Sequence, residues 1–193
     1  EKLIECDTLP TTSLVSPAVF EEAYEAAVSN GETVIVITIS SKLSGTCQSA
    51  RIAAEDYEGK VFVVDSLNAT IGEQILVEYG MQLKDQGKTV AEIVSALESQ
   101  KHKIHTMGLL DTLEYLKKGG RISKTVAFAG GVLNIKPVVT IQDGKVEVIG
   151  KARGSRQGNN LLIEKIQESG GIDFDMPILL GYTGLSDALL KKY

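Results

Sequence analysis

Three small polar residues, Ser44, Gly45 and Thr46, come shortly after the apolar run VIVITI at residues 34–39. They stand where a buried strand should pass into a helix. A helix N-terminus carries unpaired N–H groups and a partial positive charge, and it therefore attracts small anions. Gly45 would let the backbone come close to such an anion, and the two hydroxyl groups would add donors. The spacing therefore fits a carboxylate or phosphate site, although Ser44 acting only as a helix N-cap explains the same pattern.

A second hydroxyl cluster and one arginine are the other candidate anion ligands. The segment TTSLVSP at 11–17 contains Thr12 and Ser13 just before a predicted helix, where a capping loop is the alternative. The segment KKGGRIS at 117–123 places two glycines before Arg121. Such a permissive turn can direct a guanidinium at one target, but it also suits an arginine that only tethers a carbonyl. Neither segment alone decides between binding and structure.

The remaining reactive side chains give little support for catalysis. Cys47 has no histidine close to it in sequence, which favours a buried helix thiol over a nucleophile. His102 and His105 lie at a predicted strand entry, point to opposite faces and have no carboxylate pair beside them, which disfavours a metal site. No P-loop and no nucleophile–base pair is visible. We therefore expect a protein that is not an enzyme by itself and that requires neither metal nor cofactor.

Composition and charge restrict the class of protein further. A chain of 193 residues can form one large domain or two small ones. Its net charge of −5 argues against nucleic-acid binding and against broad binding to a membrane surface, both of which usually need a basic patch. No apolar run reaches the roughly 18 residues that cross a bilayer, and no signal peptide is visible. We therefore expect no stable membrane insertion and, with only two cysteines, a cytoplasmic location.

The elements that position these residues change in kind along the chain. Strands and helices alternate over residues 1–103, which predicts an α/β domain with a parallel sheet. Asp143 and Gly144 separate two alternating runs and predict a type I′ hairpin. Residues 104–193 are therefore predicted to form a second, α+β domain with antiparallel strands. The apolar segment MPILLGYT at 176–183 predicts a further strand, followed by a closing helix.

Six segments taken together resemble one family. They follow the order and approximate spacing of the DegV family of bacterial fatty-acid-binding proteins: TTSLVSP, ISSKLSGTCQSA, VFVVDS, LEYLKKGGRIS, LNIKPVV and KARG. The similarity extends from Pro10 to Gly154, with weaker agreement beyond. Any single segment would be weak evidence, but six in register are specific.

The resemblance implies two α/β-containing domains that hold a long-chain fatty acid in an apolar tunnel between them. By the family pattern, Thr12 and Ser44 would fix the carboxylate and Arg121 would lie near it. The predicted ligand-binding residues are Thr12, Ser13, Ser44, Gly45, Thr46 and Arg121. The family pattern further implies that the protein presents the carboxyl group to a separate fatty acid kinase subunit, which makes an acyl phosphate for phospholipid synthesis. Arg153 falls in a region that the resemblance associates with docking of that kinase.

The chain also departs from the family pattern. Leu14 and Val15 replace a glutamine and a proline, so the family pattern does not fix the shape of this loop. Cys47 replaces a tyrosine, so the pattern does not fix the volume of the tunnel either. The family's first strand region and its closing segment, with a histidine-glycine-proline-glycine loop, are expected to be missing. Periodicity predicts that the tunnel is lined by Phe20, Ile39, Leu43, Phe128 and Val132.

Two other functions remain open at this stage. The first is an enzyme that binds a phosphorylated small metabolite at the helix start, with Arg121 as the charge clamp. The second is a regulatory or interaction domain whose pocket has no physiological ligand. The enzyme predicts stabilisation by soluble phosphoesters, whereas the fatty-acid carrier predicts an acyl chain bound between the two domains.

Overall fold

The computed structural model describes residues 10–122, 134–183 and 191 of the chain. In the first half, the described residues form two strands that alternate with helices, and two helices follow the second strand. The strands are β1 (Val34–Thr38) and β2 (Val61–Asp65), and the helices are α1 (Pro17–Ser29), α2 (Thr46–Ala54), α3 (Ile71–Asp85) and α4 (Val90–Gln100). Single 3₁₀ turns follow α2 at Glu55–Tyr57 and α4 at Lys101–Lys103. β1 and β2 pair in parallel, from Val34 opposite Val61 to Thr38 opposite Asp65.

Both faces of this parallel pair are covered by helices. Ile35 and Ile37 of β1 pack against a buried cluster built by β2, α3 and α4. Val34 and Val36 alternate with them and pack on the other face against a cluster that includes Tyr24 of α1. The continuous apolar run of β1 thus serves two faces, as the sequence predicts. Most β1 side chains are nevertheless only half-buried, because within the described residues β1 pairs with a single strand.

Local signals position the helices as the sequence predicts. α1 begins with Pro17 directly after Ser16, which occupies the N-cap position. At the start of α4, Thr89 and Glu92 form a capping box. The backbone N–H of Glu92 donates to Thr89 Oγ1 over 3.3 Å, and the backbone N–H of Thr89 donates to Glu92 Oε2 over 2.8 Å.

The second half is built around an antiparallel sheet. Its elements are β3 (Thr106–Leu109), α5 (Glu114–Lys118), β4 (Ile135–Gln142), β5 (Lys145–Arg153) and α6 (Gly154–Glu168), and the strand order is β3-β4-β5. Asp143 and Gly144 have φ angles of 48° and 79°, and positive values at both positions are what a type I′ turn requires. α6 packs closely on the sheet, since a Cβ at Gly158 would lie only 2.6 Å from Leu109 Cδ1. The predicted fold class is therefore confirmed.

Two elements were predicted for the last segment, a strand and a closing helix. The strand predicted at 176–183 is wrong, because these residues have no regular secondary structure. Alternate side chains, Ile178, Leu180 and Tyr182, are 44%, 62% and 48% exposed, and no strand of the described residues pairs with them to form a sheet. The closing helix falls mainly at 184–190, outside the described residues. The division at residue 103 stays a prediction, although parallel pairing gives way to antiparallel pairing just after it.

Candidate functional site

The loop from β1 to α2 forms a tight corner of hydroxyl groups. α2 begins at Thr46 with Gly45 at the N-cap position. The N-cap residue is therefore Gly45, one residue after the Ser44 considered from the sequence. Ser44 Oγ lies 2.9 Å from Thr46 Oγ1 and accepts a hydrogen bond from the backbone N–H of Thr46 over 3.3 Å. In such a pair only one hydroxyl donates to the other. One hydroxyl hydrogen at this corner therefore remains available to an anion.

The segment that carries Thr12 and Ser13 runs beside the same corner. A Cβ on Gly45 would lie 2.8 Å from Leu14 Cδ2, so Leu14 lies directly against the start of α2. Thr12 and Ser13 are exposed, and in the described part of the chain neither side chain makes a hydrogen bond. Through this contact of Leu14 with Gly45, the segment of Thr12 and Ser13 lies next to the segment of Ser44 and Thr46. A shared role of Thr12 and Ser44 in ligand binding stays a prediction.

Arg121 is tied to the corner by its own side chain. Its Nε donates to the carbonyl oxygen of Leu43 over 3.2 Å, and its Nη1 donates to the carbonyl oxygen of Gly119 over 2.6 Å. The preceding Gly120 has a φ of +73°, which a glycine adopts at little cost. The carbonyl tether weighed from the sequence is thus present. It also holds the guanidinium beside Leu43, the residue before Ser44, and leaves Nη2 without a partner among the described residues.

A cavity of about 520 Å³ opens next to this arginine. It is bounded by the corner loop, by the loop after α5 and by the start of β5. Its walls are partly apolar and partly cationic, and are formed by Lys42, Leu43, Gly120, Arg121, Ile122, Lys145, Val146, Glu147 and Val148. The volume lies within the roughly 300–1,000 Å³ typical of small-molecule sites. Because Arg121 lines this cavity, it is the candidate binding site. The other predicted ligand residues do not line it: Thr12, Ser13, Ser44, Gly45 and Thr46.

Ser40 holds in place the start of β5, which forms the third wall of the cavity. The sequence analysis does not identify this residue. Its fully buried hydroxyl donates to the carbonyl oxygen of Gly144 over 2.8 Å. A Cβ on Gly144 would overlap Ser40 Oγ and lie 3.2 Å from Lys42 Cγ. Glycine is thus needed both for the turn and for the close approach of the hairpin. The only signals in the sequence were the hydroxyl-rich corner and the Asp-Gly turn, which lie about a hundred residues apart.

Asp65 organises the two loops that leave the parallel strands. Its Oδ1 accepts from the backbone N–H of Ser41 over 3.1 Å and from that of Leu67 over 3.0 Å. Burial alone would raise the pKa of Asp65. The hydrogen bonds from Ser41 and Leu67 and the charge of Lys101 outweigh burial, so the pKa lies below the usual value of an aspartate. Both of these hydrogen bonds come from backbone N–H groups, so Asp65 stabilises the conformation of the two loops.

A buried amide links the parallel strands to the antiparallel sheet. Asn68 is 2% exposed, and its Oδ1 accepts from Thr106 Oγ1 over 2.8 Å. The backbone carbonyl of Asn68 also accepts from the N–H of Ser40 over 2.8 Å. Gly72 makes room for this link, because a Cβ there would overlap both Thr106 Oγ1 and Asn68 Oδ1. Nothing in the local sequence pattern of Asn68 points to this contact.

Other residues singled out from the sequence lie elsewhere. Cys47 is fully buried, as predicted for a helix thiol. The prediction that His102 and His105 point to opposite faces of a strand is wrong. His102 lies in the 3₁₀ turn Lys101–Lys103 and β3 begins only at Thr106, so both histidines line one separate cavity of about 570 Å³. Within the described ranges no group of three potential ligands could hold a metal ion. Arg153 ends β5, roughly 26 Å along the strand from Lys145 at about 3.3 Å per residue. It therefore does not share the cavity with Arg121.

The tunnel itself stays a prediction, and the residues proposed to line it lie in different places. Leu43 lines the cavity beside Arg121. Phe20 packs instead against the core cluster of α1, α2 and β2, because its position in α1 follows the same helical stripe as Tyr24. Phe128 and Val132 lie outside the described residues.

Comparison with known proteins gives consistent matches. A family model described as an uncharacterised protein of the DegV family (COG1307) matches residues 1–192. A DegV domain-containing protein of Caldanaerobacter subterraneus is 37% identical over 174 residues, which cover 90% of this chain and 62% of the relative. The structure of a DegV family protein from Thermus thermophilus, described by its fatty acid binding, is 37% identical and superposes with a TM-score of 0.79. That match covers 87% of this chain and 60% of the other.

A third match is a structure whose description includes both a bound fatty acid and a fatty acid kinase. The Streptococcus pneumoniae fatty acid kinase (Fak) B3 protein, loaded with linoleic acid, is 29% identical and has a TM-score of 0.76. The match covers 87% of this chain and 60% of the pneumococcal protein. The chain thus spans about three fifths of the length of the relatives and solved structures that it matches.

Proposed function

The chain belongs to the DegV family, and on this premise we propose that it binds a long-chain fatty acid with the carboxylate at the corner of Ser44, Thr46 and Arg121. The observation that carries the proposal is the hydrogen bond from Arg121 to the carbonyl of Leu43, because it holds a guanidinium beside the residue that precedes Ser44. A cavity with apolar side chains is lined by both Arg121 and Leu43, the residue before Ser44. Thr12 and Ser13 complete the proposed ligand set from the segment that contacts Gly45 through Leu14.

The tail and the head group of the fatty acid contribute differently to the binding free energy. Burial contributes roughly 0.8 kcal/mol per methylene, so a long acyl chain supplies about 10 kcal/mol before ordering costs. Each hydrogen bond to a charged group contributes about 1.5–3 kcal/mol. The tail should therefore dominate the affinity, and the hydroxyls and Arg121 should select an acid over a neutral head group.

We further propose that the protein acts as a carrier and leaves the chemistry to a partner. The carboxylate would be presented to a fatty acid kinase subunit that forms the acyl phosphate, as the name of the pneumococcal protein supports. Arg153, at the far end of β5, is the proposed contact with that subunit. The described part of the chain contains no helix suited to crossing a membrane. The proposed site of action is the cytoplasm.

The test is direct detection of the ligand. The chain is produced in bacteria, and lipids extracted from the purified protein are identified by mass spectrometry, with native mass spectrometry to count bound molecules. One fatty acid per chain is the expected result. If no acyl species is found and added hexadecanoate does not bind in calorimetry, the proposed function is wrong.

A further inference from the structure

We propose that the separate cavity of about 570 Å³ lined by His102 and His105 binds a zwitterion, namely an α-amino acid with a large apolar side chain. Asp143 binds its ammonium group, the two histidines bind its carboxylate, and an apolar wall takes its side chain. Among the described residues, this cavity shares none of its lining with the cavity beside Arg121. The inference therefore does not depend on the proposed fatty-acid site.

Several distant parts of the chain meet around this cavity. It is bounded by the loop after β2, by the segment that joins α4 to β3, by the turn of the β4–β5 hairpin and by the end of α6. The hydrogen bond from Thr106 to Asn68 fixes the loop to β3, and the bond from Ser40 to Gly144 fixes the turn. The cavity is thus held by specific long-range contacts, and its volume lies within the roughly 300–1,000 Å³ typical of small-molecule sites.

One side of the cavity is apolar. Its side chains come from the loop after β2, from the segment around the start of β3 and from both strands of the hairpin. They are Leu67, Ile104, Met107, Ile141 and Ile149. All five are half-buried, so each leaves apolar surface that a ligand can remove from water. This side therefore favours a ligand with a large apolar group.

Asp143 supplies the negative charge that an ammonium group needs. Its side chain is exposed and forms no ion pair within the described residues. The other acid of the cavity, Glu168, pairs with Lys165 over 2.5 Å, and Lys101 pairs with Glu98 over 2.5 Å. These two pairs neutralise themselves. In the described part of the lining, Asp143 is therefore the charged side chain that lacks a counter-ion.

The histidines and a buried amide supply donors for a carboxylate. Neither His102 nor His105 donates a hydrogen bond to a described residue, and a neutral imidazole carries one N–H donor. Asn68 also lines the cavity and is only 2% exposed. One N–H of its Nδ2 donates to the carbonyl oxygen of Ser66 over 3.4 Å, which leaves the second N–H without a partner among the described residues. Up to three donors are thus available to one carboxylate.

This combination favours a zwitterion over a ligand with a single charge. An amine without a carboxylate would cover the histidine and amide donors and leave them unsatisfied, which costs binding free energy. A carboxylate without an amine would lie close to the unpaired Asp143 and be repelled. An α-amino acid with an apolar side chain satisfies the donors, the acid and the apolar wall together.

Calorimetry with four probes tests this site on the intact chain at neutral pH. L-phenylalanine has all three features, 3-phenylpropanoate lacks the ammonium group, 2-phenylethylamine lacks the carboxylate, and L-serine lacks the apolar side chain. We expect L-phenylalanine to bind at least about tenfold more tightly than each of the other three, since one charged contact is of that order.

Variants assign the two charged contacts. Asp143→Asn removes the charge and keeps the turn, because Asn-Gly suits a type I′ turn. It should weaken L-phenylalanine about tenfold and leave 3-phenylpropanoate unchanged or tighter. His102→Ala with His105→Ala should weaken L-phenylalanine and keep 2-phenylethylamine within about twofold. Asp85→Asn removes an exposed acid that does not line the cavity and should change no affinity. Circular dichroism checks that all variants are folded.

Four results would overturn the inference. The first is that L-phenylalanine binds no more tightly than 3-phenylpropanoate or 2-phenylethylamine, and the second is that L-serine binds as tightly as L-phenylalanine. The third is that Asp143→Asn weakens L-phenylalanine and 3-phenylpropanoate by the same factor, or that the histidine variant changes no affinity. The fourth is that none of the probes binds. The proposed function stands in each case, because the fatty acid is assigned to the other cavity.

Discussion

Ser40 and Gly144 are 104 residues apart in the chain, and the hydroxyl of the first donates a 2.8 Å hydrogen bond to the carbonyl of the second. The serine belongs to the loop after the first parallel strand, and the glycine to the turn of the antiparallel hairpin. This bond brings Lys145 into the cavity beside Arg121. One buried hydroxyl therefore connects the stability of the protein with the shape of its candidate site.

Replacing Gly144 by alanine should destabilise the protein because of this approach. The new Cβ would overlap Ser40 Oγ, and the φ of +79° disfavours any side chain. Gly31 is the matched control, since it has a φ of +80° and no atom within 4 Å of its Cβ position. We expect Gly31→Ala to cost about 1 kcal/mol in the free energy of unfolding, and Gly144→Ala to cost about 1–3 kcal/mol more. Urea unfolding measures both, and equal losses would show that the hairpin does not need the close approach.

Much of the fold could be predicted because its signals are local. Asp143-Gly144 requires positive φ at two adjacent positions, and Thr89 with Glu92 satisfies N–H groups within one helical turn. Such features depend on a few neighbouring residues, and the structure confirms them. The strand predicted at 176–183 failed for the opposite reason. Alternating apolar residues form a strand only where another strand supplies hydrogen bonds, and the sequence of the segment cannot specify that partner.

The candidate site was predictable in its residue types and not in its connections. Ser44 and Arg121 were singled out because hydroxyls at a helix start and an arginine in a permissive turn can both meet an anion. Ser40 and Asn68 were missed, since their partners Gly144 and Thr106 are brought near only by folding of the whole chain. Serine and asparagine are common in loops for several reasons. Their local sequence therefore carries no sign of a long-range contact.

Gly72 and Gly80 lie on the same helix, α3, and should respond in opposite ways to alanine. A Cβ on Gly72 would overlap Thr106 Oγ1 and Asn68 Oδ1, whereas one on Gly80 would lie 3.7 Å from Leu97 in ordinary contact. Alanine favours a helix over glycine by about 1 kcal/mol. We therefore expect Gly80→Ala to be neutral or stabilising.

Gly72→Ala should instead reduce the free energy of unfolding by about 1–3 kcal/mol, because it separates Asn68 from Thr106. Thermal and urea unfolding of the two variants measure the difference. If Gly72→Ala proves as stable as Gly80→Ala, the buried link between the two sheets is not important for stability.

Asp65 should make the stability of the protein depend on pH in the acid range. Its pKa is lowered in the folded state, where hydrogen bonds from Ser41 and Leu67 outweigh the opposing effect of burial. The ionised form therefore stabilises the fold above the unfolded-state pKa of about 3.9, and this contribution is lost as the pH falls through the folded-state pKa. Asp65→Asn should cost about 1.5–3 kcal/mol at neutral pH. The deficit relative to the unmodified chain should shrink toward about pH 3.

Glu73 provides a control of opposite sign. Burial raises its pKa, so its ionised form does not stabilise the fold at neutral pH. Glu73→Gln should leave stability unchanged or higher at neutral pH. Urea unfolding of both variants from neutral pH down to about pH 3 tests the pair. A deficit of Asp65→Asn that stays constant over this range would mean that its charge is not what matters.

The two hydroxyl segments should determine whether the ligand is an acid. Ser44→Ala with Thr12→Val removes one hydroxyl from each segment, and these segments meet where Leu14 contacts Gly45. A carboxylate loses charged hydrogen bonds of about 1.5–3 kcal/mol each, which is roughly tenfold or more in affinity. A neutral alcohol with the same tail loses much less, because hydrogen bonds between neutral groups contribute only about 0.5–1.5 kcal/mol.

Calorimetry of hexadecanoate and hexadecanol with this double variant measures the ratio of the two affinities, which should fall by about tenfold or more. Ser29→Ala is the control, since among the described residues its hydroxyl bonds only to Glu25 on the exposed face of α1. It should leave the ratio unchanged. Equal losses for acid and alcohol in the double variant would mean that these hydroxyls contribute to the shape of the site and do not recognise the charge of the head group. In that case Arg121 alone, held beside Leu43, would remain as the residue that selects an acid.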